Sequence, residues 1–248
     1  MISRQDKIAV MGHVVAGDPE TSKVLGLIDV MVDAGVKVIE IQIPFSEPIA
    51  DGPLFLKANH SAIQDGVTPE TAFELMAIVS KRHPKIPFVF MTYANIVFKI
   101  GYESFVKTAT EAGAKGVIVP DLPIDYSEDF LKFCSLYELD CIQVIPPNVD
   151  DDRLKQLCAK SSGFVYAVAR AGVTGKPTDF GDQLDRFLAR LRKQTELPIA
   201  VGFGVRSYED VSFLQGRADL AVVGSRGLEV FLEGGIKGAK KFWNSLTK

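Results

Sequence analysis

Three groups of residues in this chain have types and spacing suited to chemistry. The first is Glu40, set among apolar residues in Val36-Lys37-Val38-Ile39-Glu40-Ile41-Gln42-Ile43. The second is Asp51, in the following stretch Pro44-Phe45-Ser46-Glu47-Pro48-Ile49-Ala50-Asp51-Gly52-Pro53. The third is a set of glycine-bearing segments: Ala171-Gly172-Val173-Thr174-Gly175, Gly202-Phe203-Gly204 and Gly224-Ser225. A carboxyl group among apolar neighbours resists ionisation, keeps its proton toward neutral pH and can donate it. Small residues let backbone N–H groups approach an anion, and a following helix N-terminus adds a favourable dipole. Together the three groups suit acid–base chemistry on a small anionic molecule. Each also has a plainer reading. Glu40 can be a buried acid satisfied by a lysine, an arginine or a backbone donor. Asp51-Gly52 and the glycine pairs can be simple tight turns.

The elements that must position these residues alternate in type. Strands are predicted over residues 7–15, 36–43, 88–92, 116–119, 140–145, 163–168, 198–201 and 220–223, with amphipathic helical stretches such as 22–34, 72–81 and 182–194 among them. Strands alternating with helices imply parallel β-α-β units. Eight strands in 248 residues favour a single-domain α/β fold of the (β/α)8 TIM-barrel class over residues 1–248. A doubly wound sheet would want a G-x-G-x-x-G fingerprint after its first strand, whereas this strand runs into Ala16-Gly17-Asp18-Pro19. Segments 34–41 and 112–120 each place a glycine, Gly35 and Gly113, just past a helix, where a C-terminal cap favours it. Between residues 44 and 87 a long loop and two helices are expected, the second starting at Thr68-Pro69 as an N-cap followed by an N1 proline.

Strand alternation then orients the acid. Ile39, Ile41 and Ile43 share one side and suit contact with outer helices; Val38, Glu40 and Gln42 share the other and point into the barrel. Glu40 falls near the carboxyl end of its strand, where barrel enzymes place their chemistry. A loop leaving that end can fold back so that Asp51 faces Glu40 across a ligand. Phosphate sites in this fold frequently use the loops after strands seven and eight.

Composition excludes several partners. The net charge is −3, so no basic field attracts nucleic acid or an anionic membrane. Cys134, Cys141 and Cys158 lack C-x-x-C spacing and read as buried thiols in a reducing compartment. His13, His60 and His83 lack metal-ligand spacing, so no metal is expected. No run approaches the roughly 18 apolar residues of a membrane span. Charges at Arg4, Asp6 and Lys7 argue against a signal peptide, so a cytoplasmic protein is expected. Asp18 is expected to cap the first helix, and Asp121 to shape its loop or touch a partner. Arg170 anchors a mobile lid or forms a surface ion pair, and Tyr93 and Asn95 support the Glu40 side of the pocket.

The chain resembles the alpha subunit of tryptophan synthase. The matching pieces are AGDP at 16–19, IEIQIPFSEPIADGP at 39–53, YANIVF at 93–98, PPNVDDDRL at 146–154, YAVARAGVTG at 166–175, VGFGV at 201–205 and VVGS at 222–225. The resemblance implies a lyase that splits indole-3-glycerol phosphate into indole and glyceraldehyde 3-phosphate by a retro-aldol reaction, with no cofactor or metal in the chain itself. It implies a pyridoxal-phosphate beta subunit as partner in a heterotetramer. Glu40 would be the acid–base group and Asp51 would bind the indole N–H. Tyr93, Tyr166 and Phe203 would line the pocket, and Thr174, Gly175, Gly204, Gly224 and Ser225 would lie on the phosphate side.

Some positions depart from the family pattern. Gln42 stands where glycine is usual, Glu47 where aspartate is usual, His13 where an aromatic residue is common, and Arg226 where a small apolar residue is common. The short start predicts no helix before the first strand. These departures keep open a catalytically weak or inactive subunit that activates a partner; a sugar-phosphate isomerase on the same barrel is a further alternative.

Overall fold

A computed structural model describes residues 7–168, 177–202 and 204–247. Its strands are β1 (Ala9–Val15), β2 (Val38–Gln42), β3 (Phe88–Met91), β4 (Gly116–Ile118), β5 in two pieces (Asp140–Ile142 and Val144–Ile145), β6 (Val165–Val168), β7 (Ile199–Gly202) and β8 (Leu220–Val223). All the pairings are parallel. The sheet runs from the first piece of β5 through β4, β3, β2, β1, β8, β7 and β6 to the second piece of β5. Its two edges are therefore consecutive in the chain, separated by Gln143 alone, and the sheet closes into the expected eight-stranded barrel.

The break in β5 was not expected. Its first piece pairs with β4 on one side but meets a loop residue on the other: Cys141 N donates to Ser162 Oγ at 2.8 Å, and Ser162 N donates to Cys141 O at 2.9 Å. Only beyond Gln143, whose carbonyl accepts from Tyr166 N at 3.0 Å, does pairing with β6 begin.

The helices are α1 (Thr21–Asp33), α2 (Pro53–Gln64), α3 (Pro69–Arg82), α4 (Ala94–Ile100), α5 (Tyr102–Glu111), α6 (Glu128–Leu136), α7 (Asp151–Ala159), α8 (Pro177–Arg192), α9 (Tyr208–Leu214) and α10 (Ser225–Leu246), the last kinked at Gly235. The two helices expected between β2 and β3 are α2 and α3. Thr68 caps α3 in a reciprocal pairing with Thr71, with Pro69 inside the first turn. Gly35 and Gly113 follow α1 and α5 with φ of 94° and 95°, as their positions predicted. Asp18 does not cap α1, whose N-cap is Glu20. The chain passes through Pro19 before the helix begins, so Asp18 stands too early; it is buried and hydrogen-bonded to Ser61 instead.

Alternation along the strands divides the core in two. Ile39, Ile41 and Ile43 belong to the layer between barrel and helices, with Phe73, Met76 and Trp243. Val38, Met11, Val89, Met91, Phe164 and Leu220 fill the barrel interior. Gly12 on β1 lets two elements approach closely: a Cβ there would stand 2.8 Å from Met31 Sδ of α1 and 3.2 Å from Trp243 Cη2 of α10. All three cysteines are buried free thiols. No helix among the described residues is long and apolar enough to cross a membrane.

Candidate active site

Above the apolar interior, β1 and β2 change character. In register, Met11 pairs with Val38, and two residues on, His13 pairs with Glu40. The same alternation that aims Met11 and Val38 into the barrel aims His13 and Glu40 into it one layer higher. There the barrel opens into a cavity of about 600 Å³ at the carboxyl ends of the strands, lined by His13, Glu40, Asp51, Phe55, Tyr166 and residues of the β7 and β8 loops.

Glu40 is 3% exposed, and its Oε2 has no hydrogen-bond partner among the described residues. Among the described residues no lysine or arginine pairs with it. His13 lies beside it, with Nδ1 4.0 Å from Glu40 Oε1. Burial, and then the charge of Asp51, push the Glu40 carboxyl up to about 8. Glu40 is therefore a protonated acid at neutral pH. Burial holds His13 down to about 4, against the opposing pull of its bond to Gln42, so the imidazole beside Glu40 is neutral.

The loop after β2 folds back over the mouth as expected, and the inward residues hold it there. Gln42 Nε2 donates to Asp51 Oδ2 at 2.6 Å, and the Tyr93 hydroxyl donates to the same oxygen at 3.1 Å. Ala50 N in turn donates to Tyr93 Oη at 3.2 Å. Asn59, fully buried on α2, accepts from Phe45 N at 2.9 Å and from Gln42 Nε2 at 3.3 Å. Burial raises the Asp51 carboxyl above its ordinary range, while the bonds from Gln42 and Tyr93 oppose the shift.

This network fixes the His13 tautomer. A carboxylate and the Asn59 oxygen only accept, so Gln42 must present its NH2 to them and its oxygen to His13. His13 Nε2, 3.0 Å from Gln42 Oε1, therefore carries the hydrogen. Nδ1 keeps the lone pair on the side of Glu40. The imidazole also stacks on Phe55 with ring centroids 4.2 Å apart.

Gly202, Gly204, Gly224 and Ser225 all line the cavity, and Ser225 opens α10. The close approach at Gly202 is real: a Cβ there would stand 3.0 Å from Tyr166 Cε1. Tyr166 lines the cavity, and burial, followed by the charges of Glu40 and Asp51, keeps it a neutral phenol. Arg206 and Arg226 reach the same end of the cavity and share Glu229 Oε2 at 2.9 and 2.8 Å.

Of the residues singled out from the sequence, Glu40, Asp51, Tyr166, Gly204, Gly224 and Ser225 line one cavity, and Tyr93 supports it from behind Asp51. Asn95 does not join Tyr93: it is exposed on α4, because the helix turns it away from the barrel. Asp121 ties the loop after β4 to the start of α4, its Oδ1 accepting from Ala94 N at 2.8 Å. Glu47 is exposed. Arg170, Gly172, Thr174, Gly175 and Phe203 lie outside the described residues, as do residues 1–6. Sequence reasoning missed Phe55, Asn59 and Arg206, whose roles depend on how α2 and the β7 loop meet the barrel mouth.

A family profile described as tryptophan synthase alpha chain matches residues 1–240. The tryptophan synthase alpha chain of Desulforapulum autotrophicum is 43% identical over 98% of this chain and 96% of its own length. That of Methanocaldococcus jannaschii is 38% identical over 94% and 85%. Among solved structures, a chain of the tryptophan synthase α2β2 complex from Pyrococcus furiosus superposes with a TM-score of 0.89 at 30% identity, covering 99% of both chains. A tryptophan synthase chain from M. tuberculosis gives 0.89 at 26% identity, covering 98% of this chain and 93% of its own. With its eight-stranded barrel, its inward acid and a match along nearly its whole length, the chain belongs to the tryptophan synthase alpha chain family.

Proposed function

We propose that this chain cleaves indole-3-glycerol phosphate to indole and glyceraldehyde 3-phosphate, the lyase reaction of its family in tryptophan biosynthesis, with Glu40 as proton donor. Breaking the carbon–carbon bond requires a proton on C3 of the indole, so that the ring can leave. A carboxyl group held protonated by burial supplies it. Positive charge then develops on the ring nitrogen, and Asp51, held over the mouth by Gln42 and Tyr93, is the carboxylate that stabilises it. Tyr166 forms part of the ring's wall. The phosphate lies at the end of the cavity lined by Gly204, Gly224 and Ser225, where small residues and the start of α10 suit an anion. The observation that carries this reading is the buried carboxyl of Glu40, facing the cavity with one oxygen unpartnered.

The partner is a pyridoxal-phosphate beta subunit, and the compartment is the cytoplasm. Ile49, two residues from Asp51, is 80% exposed, and Phe98 is 75% exposed, which gives this chain apolar surface for such a contact.

Indole release from indole-3-glycerol phosphate by the purified chain, alone and with a beta subunit, tests the function. Free indole is expected in both cases. A rearranged substrate without indole would mean an isomerase. No indole in either case, with the two chains still co-purifying, would mean an inactive activating subunit.

A further inference from the structure

We infer that His13 is a second proton acceptor in this site: its Nδ1 takes the proton of the substrate's hydroxyl as Glu40 gives its own to the indole ring. The inference rests on Glu40 being the proton donor. Retro-aldol cleavage moves two protons at two places, one onto C3 of the indole and one off the hydroxyl beside the scissile bond. A single carboxyl group must attend to both. The structure places a second group beside it, on the neighbouring strand and in direct register.

Three features make His13 that group. It lines the same cavity as Glu40 and Asp51. Its Nε2 is committed to Gln42, so the ring is held in one tautomer and its free lone pair is on Nδ1. That nitrogen lies 4.0 Å from Glu40 Oε1, close enough for the charge on one to govern the other. With Glu40 protonated, the carboxyl facing His13 carries no charge, and burial keeps the imidazole a weak base. Once Glu40 becomes a carboxylate, the adjacent anion raises the basicity of Nδ1. The groups facing His13 are Glu40 from β2, Asp51 through Gln42, the Tyr166 phenol of β6 in the same cavity, and the uncharged Phe55 ring stacked from α2.

The step balances. The proton of Glu40 forms a bond to C3, using the ring's C2–C3 electron pair. The hydroxyl gives its proton to His13 Nδ1, and the O–H electron pair becomes the second bond of the new aldehyde. The carbon–carbon bond breaks, and its electron pair returns to the ring and neutralises the nitrogen. His13 then holds the proton that Glu40 lacks, and transfer across the gap between them resets both.

The test uses two assays on His13→Phe, which keeps a ring against Phe55 but removes both nitrogens. One assay is indole release from indole-3-glycerol phosphate. The other is exchange of the C3 hydrogen of indole for deuterium in D2O, which requires only a group that gives and takes a proton at C3. Cleavage is expected to fall about 100-fold, the scale of losing one acid–base group, while exchange continues at the wild-type rate. Loss of both assays together would make His13 a wall of the pocket, and loss of neither would leave it without a role; either result overturns the inference. Should His13→Phe fail to fold, His13→Asn carries the same pair of measurements. Glu40→Gln is expected to abolish exchange. If that variant still exchanged, the assignment of Glu40 itself would fail, and that result is distinct from every His13 outcome.

Discussion

Gln42 and Asp51 are joined by a 2.6 Å hydrogen bond, which ties a residue of the barrel wall to a residue of the loop above it. The bond decides where the second carboxylate of the site sits. Asp51 alone is a loop residue beside a glycine, free to point to solvent. Held by Gln42 from below and by the Tyr93 hydroxyl from the side, it faces the cavity. Tyr93→Phe removes that hydroxyl and leaves Ala50 N without its acceptor. We expect a loss of about 0.5–1.5 kcal/mol of stability, the net contribution of an ordinary hydrogen bond, read from a denaturant midpoint. kcat/KM for cleavage should fall as well, since Asp51 is less firmly held.

The rate should depend on pH through Glu40. The acid works while protonated, and its carboxyl is pushed up to about 8. kcat/KM for indole release should therefore hold through neutral pH and fall about tenfold per pH unit above that point. A profile that instead rises through pH 8 would show that the ionised form is the active one.

The same group shapes stability. Its folded pKa of about 8 lies above its ordinary 4.5, so the folded state holds a proton that the unfolded state releases between those values. Stability contributed by Glu40 is thus fully present below about 4.5 and is lost as pH rises toward 8. His13 acts in the opposite sense at lower pH: lowered from 6.5 to about 4, it removes stability as pH falls through that window. Glu40→Gln cannot ionise, so its Tm relative to wild type should climb between pH 4.5 and 8 and level off above that range. A Tm difference that does not change with pH would mean that the carboxyl is not desolvated.

Much of this site is legible in the sequence because strand alternation is a strong rule. Three isoleucines on one side of β2 require the other side to face inward, and that places Glu40 and Gln42 at once. Applied to β1, the rule also puts His13 inward with Met11. What it does not give is register: whether His13 meets Glu40 or a residue two positions away depends on the stagger of the closed barrel, which no local pattern encodes. Asn59 and Phe55 were illegible for a different reason. They lie on a helix whose angle to the barrel mouth is set by long-range packing. The break of β5 at Gln143 likewise depends on Ser162, a residue distant in sequence that takes the place of a strand partner.

Gly202 gives a steric test of the cavity. A methyl group there would stand 3.0 Å from Tyr166 Cε1 and 3.1 Å from its hydroxyl, tight enough to move the ring. Gly202→Ala should raise KM for indole-3-glycerol phosphate several-fold through the displaced ring. Its cost in unfolding free energy should stay within the roughly 1–3 kcal/mol range of overpacking. An unchanged KM would mean that the position of Tyr166 does not matter to binding.

The most direct measurement is indole release by Glu40→Gln, a change that keeps the shape of the side chain but removes its transferable proton. Turnover should fall by about 100-fold to 10,000-fold, the range for losing a general acid, with the folded barrel intact. Near wild-type turnover in that variant would contradict the account, because the only acid aimed into the cavity from β2 would then have no part in the reaction.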